Sequence, residues 1–324
     1  MNMKKFFALL LASTILLSGC IFEESSSSSK KNKMSMDMDP CTWFKGRSAD
    51  DGSSTHAHSM HMMGGSMGNM THDDIEIGHN ESMPCVKITL YEDSMSGYNV
   101  RIETVNFTFA PSNVSSDHVM GEGHSHVYVN GTKVARGYGD WVHIPSAGNG
   151  SVVKVELNSN THAAYTHHGI QIMDEVMIGH HMHMGNSSNH TMNHTGNMSN
   201  SSGHGDVNAS QASPPSVMIE KITVDPKTVN SSSETHVVEI KVSNFTFTPM
   251  NTGMDHVDGE GHAHIYLNGE KLGRLYTTAF DVSGLTPGNH TLMITLNSNN
   301  HGNYVIDGEQ VKVEVILTVP ESTE

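Results

Sequence analysis

One phrase is written twice in this chain, and it constrains the fold more than any other feature. The first copy runs Asp117-His118-x-x-Gly121-Glu122-Gly123-His124-x-His126-x-Tyr128-x-Asn130-Gly131. The second runs Asp255-His256-x-x-Gly259-Glu260-Gly261-His262-x-His264-x-Tyr266-x-Asn268-Gly269. The match extends on both sides. Asn-Phe-Thr-Phe-x-Pro precedes each copy, at Asn106 to Pro111 and Asn244 to Pro249. Arg136-x-Tyr138 and Arg274-x-Tyr276 follow, and then Leu157-Asn-Ser-Asn160-Thr-His162 and Leu296-Asn-Ser-Asn299-Asn-His301. Self-similarity over this span means two copies of one domain.

Period-two alternation sorts the phrase. Every second side chain of a strand shares a face. His124, His126 and Tyr128 therefore fall on one face and Val127 and Val129 on the other; in the second copy, His262, His264 and Tyr266 oppose Ile265 and Leu267. Asn130-Gly131 and Asn268-Gly269 are dipeptides favoured in type I′ hairpin turns, whose central residues both need positive φ. A two-residue turn there sets Val127 opposite Val134 and His126 opposite Ala135. It likewise sets Ile265 opposite Leu272 and His264 opposite Gly273. The Val/Ile face is the expected core. The histidines are expected on an exposed face, each beside a small residue.

Two imidazoles from His-x-His can meet one metal ion. A third ligand is expected from His118 or Glu122, just ahead of the strand, and a fourth from His162. The corresponding group is His256, Glu260, His262, His264 and His301. Nitrogen-rich ligands with one carboxylate suit Cu(II) or Zn(II). The bland alternative is that His118 and His124 cap turns while His126 sits in an ordinary polar sheet face; four matched histidines in each copy weigh against it. Neither domain holds a cysteine, which disfavours a blue-copper centre. A copper/zinc dismutase is disfavoured because its longer His/Asp zinc loop is missing.

The 324-residue chain carries a formal charge of −16, which argues against nucleic acid as a partner. Its 24 His and 23 Met, against 16% charged and 6% aromatic residues, depart from ordinary usage. Many of them sit in two low-complexity stretches. The expected organisation is a signal peptide over 1–20, a disordered Ser- then His/Met-rich segment over 21–85, a β-sandwich over 86–178, a His/Met/Asn/Ser-rich linker over 179–215, and a second β-sandwich over 216–324. The first stretch centres on His56, His58, Met60, His61, Met62 and Met63, and the second opens with His180, His181, Met182, His183 and Met184. Thioethers prefer Cu(I), and imidazole accepts Cu(I) and Cu(II). Cys41 and Cys85 bracket the first stretch and are expected to form a disulfide outside the cytoplasm; the competing reading is a pair of soft Cu(I) ligands.

Three resemblances add to these readings. Lys4 and Lys5, the apolar run from Phe6 to Leu17, and Leu17-Ser18-Gly19-Cys20 resemble the lipobox of prokaryotic lipoproteins. That resemblance implies cleavage before Cys20 and its lipidation. The His/Met stretches resemble those of bacterial copper-resistance and copper-import proteins. The repeated domains resemble an envelope-protein domain, found in secreted bacterial and archaeal proteins, that carries Gly-Glu-Gly-His-x-His and Leu-Asn-x-Asn-x-His; no activity attaches to it.

The expected fold class is all-β: two tandem immunoglobulin- or cupredoxin-like β-sandwich domains joined by disordered His/Met-rich segments. The expected role is non-enzymatic copper binding in the cell envelope, outside a membrane, for sequestration, tolerance or delivery, with zinc as a second candidate ion. Expected partners are metal ions, the membrane through a lipid anchor, and copper-handling envelope proteins. One rival is a structural or adhesive surface glycoprotein, to which dense Asn-x-Ser/Thr sequons such as Asn106, Asn130 and Asn244 point. The other is a metal-dependent enzyme.

Overall fold

Runs of alternating Val, Ile and Leu, broken by Gly- and Asn-rich turns, produce strands and little else. The computed structural model describes residues 74–78, 81–179, 205–229, 231 and 233–321. Cys20, Cys41, His56, His58, Met60, His61, Met62, Met63, His180, His181, Met182, His183 and Met184 lie outside the described residues. Apart from two short 3-10 turns, at Pro111–Asn113 and Pro249–Asn251, every regular element among the described residues is a strand.

Two sandwich domains repeat one topology. The first contains β1 (Ile75–Glu76), β2 (Cys85–Glu92), β3 (Tyr98–Val105), β4 (Thr108–Phe109), β5 (Glu122–Val129), β6 (Thr132–Gly137), β7 (Trp141–Ile144), β8 (Val152–Ser159), β9 (Tyr165–His167), β10 (Ile170–Gln171) and β11 (Met173–Met177). The second contains β12 (Val207–Asn208), β13 (Ser216–Val224), β14 (Glu234–Ser243), β15 (Thr246–Phe247), β16 (Glu260–Leu267), β17 (Glu270–Leu275), β18 (Ala279–Leu285), β19 (Gly288–Ser298), β20 (Tyr304–Ile306), β21 (Glu309–Gln310) and β22 (Lys312–Val319). In the first domain a β2-β3-β7 sheet packs with a β11-β8-β5-β4 sheet, with β6 beside β5. The second domain repeats this as β13-β14-β18 and β22-β19-β16-β15, with β17 beside β16.

The expected core face is a core face. Val127 packs with Ile88, Val100, Ile102, Val153 and Val155, and Ile265 with Val238, Ile240, Leu292 and Ile294. The turn residues Asn130 and Gly131 take φ of 50° and 79°, and Asn268 and Gly269 take 52° and 87°, as the dipeptides require.

Two expectations need correction. β1 and β12 fall inside the stretches expected to be disordered up to 85 and 215. Each adds a parallel edge strand, β1 to β9 and β12 to β20, because Ile75, Ile77 and Val207 have apolar surface to bury there. The hairpin register also shifts. A bulge makes Val127 face Ala135 and His126 face Arg136, while Ile265 faces Gly273 and His264 faces Arg274. The bulge inserts one unpaired residue on the return strand, leaving Val134 and Leu272 about half exposed.

The two sandwiches belong to one compact unit and pack through reciprocal contacts. Asp93, after β2, accepts a 2.6 Å ion pair from Arg274 of the second domain. Asp225, after β13, pairs with Arg136 of the first at 3.3 Å. Asn99 Nδ2 donates to the Pro249 carbonyl at 3.2 Å, and Ser112 bonds Glu239. Val114 and Tyr138 of the first domain bury against Val237 and Ala279 of the second.

Candidate metal centres

β5 carries His124 and His126 on one face, and the turn after β8 brings His162 to them. One ring nitrogen from each of the three lies within 4.8 Å of the others; His262, His264 and His301 form the same group in the second domain. The Nε2 atoms of His124 and His126 stand 3.1 Å apart, and those of His262 and His264 stand 2.9 Å apart. Two imidazole nitrogens on one tetrahedral ion sit roughly 3.3 Å apart, given a metal–nitrogen bond of about 2.0–2.1 Å. The spacing also suits an N–H···N bond between neutral rings, so the structure presents a closed pair that an ion would open by a few tenths of an ångström.

The third histidine is held at a cost. His162 and His301 have φ of 70° and 67°, in the left-handed region that a β-carbon disfavours. Glycine or asparagine suits that position better, yet both copies place an imidazole there. The Ser159 carbonyl accepts from His162 N at 2.9 Å, and the Ser298 carbonyl accepts from His301 N at 2.9 Å, closing the turns that aim the rings inward. Gly123 and Gly261 serve the same construction. A β-carbon on either would stand 1.9 Å from the carbonyl of Asn158 or Asn297, so only glycine lets β5 and β16 lie this close to the strands that lead to the third histidine.

The face expected to be exposed is buried. Exposure is 1% for His124, 8% for His126, 9% for His162, 0% for His262, 7% for His264 and 8% for His301. Ser115, in the loop after the 3-10 turn, and Asp225 of the neighbouring domain close over His162. Burial disfavours the imidazolium form. It holds His124 and His262 well below the ordinary value, helped by the adjacent imidazoles. Burial brings His126 down to about 4 and His264 to about 3, and it lowers His162 despite the opposing pull of Asp225. All five stay neutral near pH 7, the form that binds metal.

Second-layer groups orient these rings. Glu156 on β8 lies opposite His126, with Oε1 3.6 Å from Nδ1, an electrostatic contact rather than a hydrogen bond. Burial alone would raise the Glu156 carboxyl; His126, Tyr128 and Lys154 outweigh it and bring it to about 2. Asp225 Oδ2 lies 3.3 Å from His162 Nε2, and Ser115 Oγ bridges the two at 2.8 Å from Nε2 and 2.5 Å from Oδ1. A carboxylate behind a ligating imidazole fixes its orientation and raises its basicity. Tyr138 and Tyr276 place their rings 5.7 and 5.8 Å from those of His124 and His262.

The other expected ligands stand apart. His118 is exposed, with its ring 5.7 Å from that of Tyr165, and His256 packs likewise on Tyr304 at 5.6 Å. The Glu122 carboxylate accepts from Asn113 at 3.1 Å, and that of Glu260 accepts from Asn251 at 3.0 Å and Asn299 at 3.3 Å. Each is spent on a loop contact and joins neither group. The carboxylates that do approach the histidines, Glu156 and Asp225, escaped sequence reasoning. Glu156 needs the strand pairing, and Asp225 belongs to the other domain. The doubled Arg-x-Tyr was the one visible signal, since Arg136 and Arg274 face the histidines and bind those interdomain aspartates. Cys85 is buried and disulfide-bonded. Among the described residues, no helix is long and apolar enough to cross a membrane.

Comparison with known proteins finds only loose likenesses. No family model matches the sequence, and no curated protein matches it. Among solved structures, the fibronectin(III)-like modules of Clostridium thermocellum CbhA are similar at 12% identity over 73% of this chain and 95% of that one, with a TM-score of 0.22. The central fibronectin-III array of RIM-binding protein is similar at 11% identity over 76% of this chain and 72% of that one, with a TM-score of 0.19. A β-glycosidase from Bacteroides vulgatus matches at 9% identity over 74% of this chain and a quarter (25%) of that one, again with a TM-score of 0.19. Likenesses this loose carry no argument about the histidine groups.

Proposed function

We propose that this protein binds copper outside the cytoplasm, held at a membrane by a lipid on Cys20, and that each sandwich domain carries one ion on three histidines. The observation that carries this reading is the pair of buried groups, His124/His126/His162 and His262/His264/His301, built alike in both domains. Neutral, buried, convergent imidazoles are a ligand set for Cu(I), Cu(II) or Zn(II). The His/Met stretches around the domains supply thioethers, which favour copper over zinc and suit capture of Cu(I). The role is sequestration, tolerance or delivery, with copper-handling envelope proteins as partners and no turnover of a substrate.

Metal analysis and titration of the full chain, purified without an affinity tag, tests this reading. The expected result is tight copper binding that falls by two ions per chain in a variant carrying His124→Gln, His126→Gln, His262→Gln and His264→Gln. Unchanged stoichiometry in that variant would remove the histidine groups from the account, and a chain that ignores Cu(I) and Cu(II) altogether would remove copper.

A further inference from the structure

The two histidine groups keep the same ligands in different surroundings. Opposite His126 on the neighbouring strand stands Glu156; opposite His264 stands Thr295. Both positions are buried. Glu156 puts a carboxylate oxygen 3.6 Å from the His126 ring, whereas the neutral Thr295 hydroxyl donates to Asn297 Oδ1 at 2.8 Å. Lys154 Nζ pairs with the other Glu156 oxygen at 3.0 Å, so the first centre has an ion-paired carboxylate at its edge where the second has a neutral hydroxyl.

The covering loops differ in which side chains they carry. Ser112 and Ser116 of the first domain correspond, through the repeat, to Met250 and Met254 of the second. Each centre is also approached by a loop from the opposite domain. Lys227, two residues after Asp225, reaches the first centre's histidine turn, where Nζ donates to the Thr161 carbonyl at 2.5 Å. Met95 holds the equivalent place after Asp93. Its loop meets the second centre's loop where Ser94 Oγ donates to the Thr252 carbonyl at 3.1 Å. Met95, Met250 and Met254 are 52%, 51% and 61% exposed, three thioethers in water on two touching loops.

We propose that the two centres are specialised by oxidation state: the Glu156-backed first centre holds a divalent ion, Cu(II) or Zn(II), and the second holds Cu(I), presented to it by the thioethers of Met95, Met250 and Met254. A carboxylate behind an imidazole favours a dication, and soft sulfur on the approach with no carboxylate behind His264 favours the monovalent ion. This inference rests on the metal-centre reading above.

Competition titrations on the full, tag-free chain test it, with a chromogenic Cu(I) chelator under anaerobic conditions and a fluorescent Zn(II) chelator. His126→Gln should remove the tightest Zn(II) site and spare Cu(I); His264→Gln should do the reverse. Glu156→Thr should weaken Zn(II) by about tenfold or more and leave Cu(I) unchanged, the size expected for losing a second-layer carboxylate. Thr295→Glu should bring the second centre's Zn(II) affinity up toward that of the first. Met95→Leu with Met250→Leu and Met254→Leu alters only exposed side chains, so it tests the second centre without risk to the fold; it should weaken Cu(I) alone. Specialisation is overturned if the two histidine variants lose the same ion, or if Glu156→Thr and the methionine variant each change affinity by less than about twofold. If neither ion binds at either histidine group, the metal-centre reading falls as well.

Discussion

Acidifying the metal-free protein from pH 7 to pH 5 should destabilise it, by an amount set by the buried imidazoles. His126 and His264 titrate near 4 and 3 in the folded chain, against about 6.5 when unfolded. Between those values the unfolded chain binds the extra protons, so the stability contribution is intact above about pH 6.5 and is lost as the pH falls. At pH 5 the gap of 1.5 units below the unfolded value corresponds to about 2 kcal/mol per histidine. Counting only these two, one per centre, the loss is about 4 kcal/mol, a fall in Tm on the order of 10 °C for a protein of this size. Glu156 does not mask the effect, because a carboxyl held near 2 keeps its full contribution above about pH 4.5. The assay is thermal unfolding of chelator-treated protein at pH 7, 6 and 5, beside a variant with His126→Gln and His264→Gln. The wild type should lose stability steeply and the variant less so. A Tm that stays flat or rises on acidification would refute the claim that these rings are buried and neutral.

Three further outcomes follow from the same geometry. Gly123→Ala should cost about 3 kcal/mol or more in chemical denaturation, because its β-carbon would meet a backbone carbonyl; Gly131→Ala, in open space at positive φ, should cost only about 1 kcal/mol. Arg136→Ala should destabilise by about 3 kcal/mol, since it strips the guanidinium from Asp225, which is 1% exposed across the domain interface; an exposed pair such as Arg101–Glu103 should be worth under about 1 kcal/mol. Glycan mapping should find Asn106, Asn130 and Asn244 unmodified, because their side-chain amides already donate to Met83 O, Ser151 Oγ and Pro214 O; occupancy at Asn130 would contradict the turn geometry.

How far the sequence reached is clearest at β5. Alternation placed Val127 in the core and His124 and His126 together, and Asn130-Gly131 turned where it should. The doubled Asn-Ser-Asn-x-His pointed to His162 and His301. What failed to show was everything that depends on a second surface. The bulge at Val134 is a one-residue irregularity with no residue-type marker, and it exchanged Ala135 for Arg136 opposite His126. Burial of the histidine face depends on covering loops and on Asp225, 63 residues beyond His162 in the chain and in another domain. His118 and Glu122 looked equivalent to His124 and His126 because proximity in sequence cannot tell a loop contact from a convergent one.

On the reading proposed above, each domain closes three imidazoles around one ion. Anomalous diffraction at the copper edge, from crystals of the copper-loaded full chain, tests it most directly. One peak is expected inside His124/His126/His162 and one inside His262/His264/His301. No peak at either group, with each His-x-His pair still bonded ring to ring, would contradict it.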